Sequence, residues 1–199
     1  MIKFQTDNRE KIGLLFLVGS IQVILALIIA EGLAENYDSQ VHYVSTLASR
    51  SVAWIFNLTV FIFGVCTLIA TYYLYKEFNK KLANTLLLLT AFCALGVGMF
   101  PEGARPWHGI FTGFLFIFSV LFLISLISLE RTPLIVFLSI FGIFTLIVTL
   151  IFFPYLGLDV ESNVTFHGLF KGTLERIVIY LNLCGFLILG GFFGFKKTS

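Results

Sequence analysis

The chain has 199 residues, 58% of them hydrophobic and only 12% charged, with 24 phenylalanines and a formal net charge of +2. A soluble domain carries about a quarter charged residues, so this composition is that of a membrane protein. The small net charge and the absence of a basic stripe exclude nucleic acid as a partner.

In chain order, six apolar runs are expected as spans, at residues 12–34, 52–75, 82–100, 109–129, 134–153 and 175–195. A span needs about 20 apolar residues to cross a core of about 30 Å, and each run supplies them. Lipid offers the backbone no hydrogen-bond partner, so runs of this length should be helices. A barrel would need shorter, alternating segments. The fold expected is therefore an all-α bundle of six spans, a single integral membrane domain over residues 1–199 in the cell membrane. The first run is long for a signal peptide, its flank "DNREK" mixes signs, and no A-x-A site follows, so it reads as a permanent span. Cys66, Cys93 and Cys184 stand singly in apolar runs and read as small hydrophobes.

The connections alternate in character. "KEFNKK" and "ERTP" are short and make the second and third, and the fourth and fifth, helices antiparallel neighbours. Nine Lys and Arg residues fall on their side: Lys3, Arg9, Lys11, Lys76, Lys80, Lys81, Arg131, Lys196 and Lys197. Four, Arg50, Arg105, Lys171 and Arg176, fall on the other. By the positive-inside rule both termini should be cytoplasmic.

The three outer connections are polar. They contain seven of the eleven acidic residues and all three histidines, His42, His108 and His167. Glu31 ends the first span, Glu102 follows the third, and Glu175 begins the last. Ionisable groups at such depths usually face a bundle interior or cavity, which makes each a site candidate. "HGIFTG" (108–113) and "HGLFKG" (167–172) share H-G-x-F-x-G. The echo reads either as two convergent helix starts or as a repeat bringing two histidines to one pocket. Its small-residue pairs, Gly109/Gly113 and Gly168/Gly172, predict close helix approach. In "LERI", Arg176 lies in a first helical turn, where the dipole disfavours a cation. That predicts an ion pair from Arg176 to Glu31 or Glu102, or a bound phosphate.

Histidines with carboxylates on one face invite a zinc reading, but no HExxH, HxxE or HxxxH spacing is present, and no metal or cofactor is expected. No G-x-S-x-G elbow surrounds the hydroxyls near the histidines. Ser49 or Ser51 is expected to cap the second helix, and Thr173 the last. "PEGARPWHG" matches no nucleotide fingerprint, and Trp107 reads as part of an interfacial aromatic belt.

"IAEGLAENYDSQVHYVSTLA" (29–48), "GVGMFPEGARPWHG" (96–109) and "GTLERI" (172–177) together resemble the six-span membrane family catalogued as domain of unknown function 998. The resemblance covers essentially the whole chain. It implies an acid ending the first span at Glu31, a Tyr-Val-Ser stretch at Tyr43 and Ser45, Phe-Pro-Glu then His at Pro101, Glu102 and His108, and Glu-Arg at Glu175 and Arg176. Two positions depart from the family pattern: His42 stands where Asn is usual, and Thr46 where an acid is usual. The resemblance implies a fold and candidate residues but no activity.

Together these readings give a polar pocket at the extracytoplasmic ends of the helices. Its expected ligand-binding residues are Glu31, Tyr43, Ser45, Glu102, Arg105, His108, His167, Glu175 and Arg176. Three functions fit: binding an amphiphile such as a membrane lipid, hydrolysis or group transfer on a lipid with Glu102, His108 and Glu175 as acid–base groups, or transport of a small molecule. No protein partner is indicated.

Overall fold

The computed structural model describes residues 7–195 except 105, 160, 161 and 163. Arg105, Lys3, Lys196 and Lys197 thus lie outside the described residues. Six helices form: α1 Asn8–Leu33, α2 Ala53–Phe78, α3 Lys81–Met99, α4 Trp107–Ser125, α5 Pro133–Phe152 and α6 Lys171–Phe195. All six are long and apolar enough to cross a membrane. Short 3-10 segments extend α4 (Leu126–Ser128) and α5 (Phe153–Tyr155).

Local chemistry sets several of the ends. Asp7 caps α1 by accepting from the Glu10 amide at 2.8 Å. Thr132 caps α5, with Pro133 at its first position. Asn79 closes α2 in the left-handed region at φ 45°. The expected hydroxyl caps of α2 and α6 are not used. Val52 precedes α2 without a side-chain cap, and Ser49 instead bonds the Thr46 carbonyl at 3.0 Å. Helix α6 begins at Lys171, which places Thr173 inside its first turn.

Each helix packs on its neighbours in sequence, and α6 closes the ring against α1. Leu14, Val18, Ile21 and Leu25 of α1 and Phe137, Ile140 and Phe144 of α5 are exposed, as a lipid-facing surface requires. The ring closes tightly where Gly13 of α1 meets Gly190 and Gly194 of α6. A Cβ on Gly13 would lie 2.2 Å from the Gly194 nitrogen. Polar side chains add interhelical bonds: Gln22 of α1 donates to the Thr59 carbonyl of α2 at 2.9 Å.

The anticipated glycine contacts fall elsewhere. Gly109 and Gly168 have no atom within 4 Å of an added Cβ, and Gly113 meets only Leu156 and Phe153 at ordinary distances. Gly172 is tightly packed, but against loop backbone, not a helix. The close helix approaches belong to Gly13 with Gly190 and Gly194, Gly64 with Leu95, and Gly98 with Phe61.

At the end bearing the amino terminus, Arg9 pairs with Glu77 at 2.8 Å and with Glu130. Its guanidinium also lies over Phe78, 4.9 Å from the ring centroid. This joins α1, the end of α2 and the α4–α5 connection.

Candidate polar site at one end of the bundle

At the opposite end, the α1–α2 connection folds into the bundle. Residues Val44–Ser49 form a 3-10 turn, and Val44, Ser45, Thr46, Leu47 and Ala48 are all buried. This turn plugs the helix ring. Backbone at that depth needs partners, and α6 supplies them. The fully buried Glu175 carboxylate accepts from the Val44 amide, with the Ser45 amide beside it. The Thr173 amide donates to the Gln40 carbonyl at 3.1 Å. Gly172 makes this approach possible, since a Cβ there would lie 2.2 Å from the His42 carbonyl oxygen.

Arg176 fastens the same connection from its other side. Its guanidinium donates to Glu31 Oε1 from Nε at 3.1 Å and from Nη2 at 2.9 Å. Nη1 donates to the carbonyls of Gly172 at 2.9 Å and His42 at 3.2 Å, and Nη2 also donates to the Tyr37 hydroxyl. These five bonds use all the donor capacity of a guanidinium. Of the two expected partners, Glu31 is the one found. Burial pushes the Tyr37 phenol well above its ordinary pKa, so it stays a neutral hydroxyl that accepts from Arg176 and donates to the Tyr43 carbonyl at 3.0 Å.

Two cavities adjoin the plug. A vestibule of about 400 Å³ is walled by Tyr43, Ser45, Glu102, His108, Thr112 and Leu156, among others. Beneath it lies a smaller, apolar chamber of about 80 Å³. Val23 and Leu27 of α1, Phe56 and Val60 of α2, and Leu115 and Ile179 of α4 and α6 line it. Its polar lining groups include Glu175 on one side and the bonded pair Ser119–Asn182, 2.7 Å apart, farther along. Ser45, His108 and Thr112 line both cavities and so stand where the two adjoin.

His108 is held by its ring. Nδ1 lies 2.6 Å from the Phe100 carbonyl oxygen, where a nitrogen must carry the proton. In the neutral ring this leaves Nε2 as the acceptor. Glu102 is buried, with the Ser49 hydroxyl 3.5 Å from its carboxylate. Tyr43 donates to the Tyr155 carbonyl, which ties the plug to the end of α5. Lys171, fully buried, donates to the Ser162 carbonyl at 2.6 Å, with its ammonium 5.5 Å from the Tyr43 ring centre.

Of the candidates named from sequence, Tyr43, Ser45, Glu102, His108 and Glu175 thus line the cavities. Glu31 and Arg176 stand behind the plug and hold it. His167 lies in the turn of a short hairpin, β1 Thr165–Phe166 and β2 Leu169–Phe170, exposed and at φ 47°. It lines neither cavity, and the H-G-x-F-x-G echo is one helix start and one hairpin turn. Arg105 lies outside the described residues. Among those described, no three His, Cys, Asp or Glu side chains converge as a metal site would. As sequence, Thr112 is only a hydroxyl near a histidine and Asn182 a polar residue near the midplane, and Ser119 sits mid-helix among apolar neighbours, so none of the three is marked as lining the pocket. Only their helical phase turns them inward.

Six apolar helices in a closed ring, with a polar vestibule at one end, define an integral membrane protein of the multi-pass helical class. The chain belongs to the family described as protein of unknown function (DUF998), whose model matches residues 17–191. No curated protein and no solved structure matches it.

Proposed function

We propose that this protein binds an amphiphile, with the head group in the vestibule and the start of an apolar tail in the chamber. One observation carries the reading: the polar vestibule and the apolar chamber share Ser45, His108 and Thr112 as walls. Ligand sites pair apolar walls with a few placed polar groups in this way. The termini are proposed to be cytoplasmic, so that the vestibule faces outward, towards head groups of the outer leaflet.

Photo-crosslinking tests this in nanodiscs, with a monoacylglycerol carrying a diazirine on its chain. Adducts should concentrate on Leu115, Ile179 and Leu183, which line the chamber. Leu115→Trp, which fills it, should remove them. Adducts confined to lipid-facing residues such as Phe114 and Phe144 in both proteins would refute the reading.

A second reading rests on Glu102 and His108 sharing the vestibule. A carboxylate and an imidazole in one pocket can act as acid and base on an ester. Hydrolysis of an acyl ester by the wild type, lost in both Glu102→Gln and His108→Ala, would favour it.

A further inference from the structure

We propose that Thr112 reads an acyl carbonyl at the junction of head group and tail, so that the ligand is an ester or acid of a fatty chain, not an ether or a hydrocarbon. The proposal rests on the amphiphile reading above and specifies its ligand. Its basis is a difference among the buried threonines of the six long helices; the hydroxyls of Thr46 in the plug and of Ser20 and Ser139 also lack partners, but none of these three lines either cavity. Thr67, Thr71, Thr90, Thr145 and Thr149 are buried in helices, and each donates its hydroxyl to the carbonyl four residues back, at 2.8–2.9 Å. Thr59, also buried, bonds Gln22 on the next helix. Thr112 is as buried as these, at 5% exposure, yet its hydroxyl has no hydrogen-bond partner in the protein. The His108 carbonyl lies four residues back, and Thr112 does not take it.

A buried hydroxyl without a partner is costly, and in a helix the remedy is one rotamer away. Here the unsatisfied group stands in the wall of both cavities, where they adjoin. A ligand that occupies both, as proposed above, lies beside it. In an acyl amphiphile the group between polar head and apolar tail is a carbonyl, an acceptor matched to a hydroxyl donor. An alkyl ether offers a much weaker acceptor there, and a hydrocarbon none.

The test uses 1-octanoylglycerol and its ether analogue 1-O-octylglycerol, titrated against the full-length protein in nanodiscs and read by native mass spectrometry. The wild type should bind the ester about tenfold more tightly than the ether, equivalent to about 1.4 kcal/mol. Thr112→Val should bind both at the level of the ether, and Thr112→Ser should keep the preference. Because Val removes an unsatisfied hydroxyl, the ligand-free Thr112→Val protein should also melt at a higher temperature. A preference for the ester that survives in Thr112→Val overturns the proposal, as does a wild type that binds the two equally. Loss of folding in Thr112→Val would make the hydroxyl structural and overturn it too. If the wild type binds neither compound saturably, the amphiphile reading itself falls.

Discussion

Arg176 and Glu31 lie 145 positions apart in sequence and meet at 2.9 Å, with the Tyr37 hydroxyl and the His42 carbonyl on the same guanidinium. The pair therefore does more than neutralise two charges. It clamps both sides of the α1–α2 connection to the second turn of α6, since the helix starts at Lys171 and not at Glu175 as the sequence suggested. Breaking such a pair by removing one member strands the other, at a cost of about 3 kcal/mol for a partly buried site. Arg176→Ala and Glu31→Gln should each lower the melting temperature sharply in detergent, and the double variant should lose less than the sum. Arg176→Lys should not rescue, because an ammonium lacks the planar fork that reaches four partners. Strictly additive losses would show that the two side chains do not cooperate.

The glycines offer a test with both signs. Ala at Gly172 would drive a methyl into the His42 carbonyl, and at Gly13 into the backbone of α6. Overpacking of this kind costs about 1–3 kcal/mol. At Gly109, in the first turn of α4, nothing lies within 4 Å of the added Cβ. Gly109→Ala should be neutral or stabilising by up to about 1 kcal/mol through helix propensity. Detergent melting curves for the three variants decide the matter. Equal losses at all three would contradict this packing.

The span boundaries were legible because one rule governs them. Lipid demands some twenty apolar residues with an internally bonded backbone, and the observed helices start and end within four residues of the runs read from sequence. The Arg176 pair was anticipated on a premise the structure corrects: α6 starts at Lys171, so Arg176 lies in the second turn, and it is the burial of the cation that calls for an anion from elsewhere. The plug was not. "VSTLAS" has the composition of a loop, and its burial depends on Glu175, 131 residues later. No local pattern encodes that pairing. The H-G-x-F-x-G echo misled for the opposite reason. Its six letters leave the backbone open, so His108 entered a helix while His167 and Gly168 took positive φ in a turn. The GxxxG at Gly190 and Gly194 was visible in sequence. It carried no polar residue to draw notice, yet it makes the closer helix contact.

Orientation rests on charge alone. With nine Lys and Arg residues on the side of the termini and four on the other, the termini should face the cytoplasm. Single cysteines at Ser199 and Asp159, placed in a variant lacking Cys66, Cys93 and Cys184, test this in intact cells. A membrane-impermeant maleimide should label position 159 and spare 199. The reverse pattern would place the vestibule in the cytoplasm and redirect the ligand reading to the inner leaflet.

Glu175 is the residue on which the structural and chemical accounts differ most. One account makes it an anchor. Its carboxylate accepts from the Val44 amide, and Val44 is buried at 1% exposure, so that amide has no access to water. The other makes it an acid or base facing the chamber it lines. Glutamine separates them, because its carbonyl oxygen can still accept from Val44 but its amide cannot transfer a proton. Glu175→Gln should hold stability within about 1 kcal/mol and keep ligand affinity, if anchoring is the role. Glu175→Leu leaves the amide orphaned and should cost about 1–3 kcal/mol. Loosening the plug should also raise hydrogen exchange at the amides of residues 44–48. If Glu175→Gln melts as the wild type does but abolishes turnover of an acyl ester that the wild type hydrolyses, Glu175 belongs to the chemistry. If Glu175→Leu alters neither melting nor exchange, the plug is held by Arg176 and Tyr43 without it, and the anchor role fails.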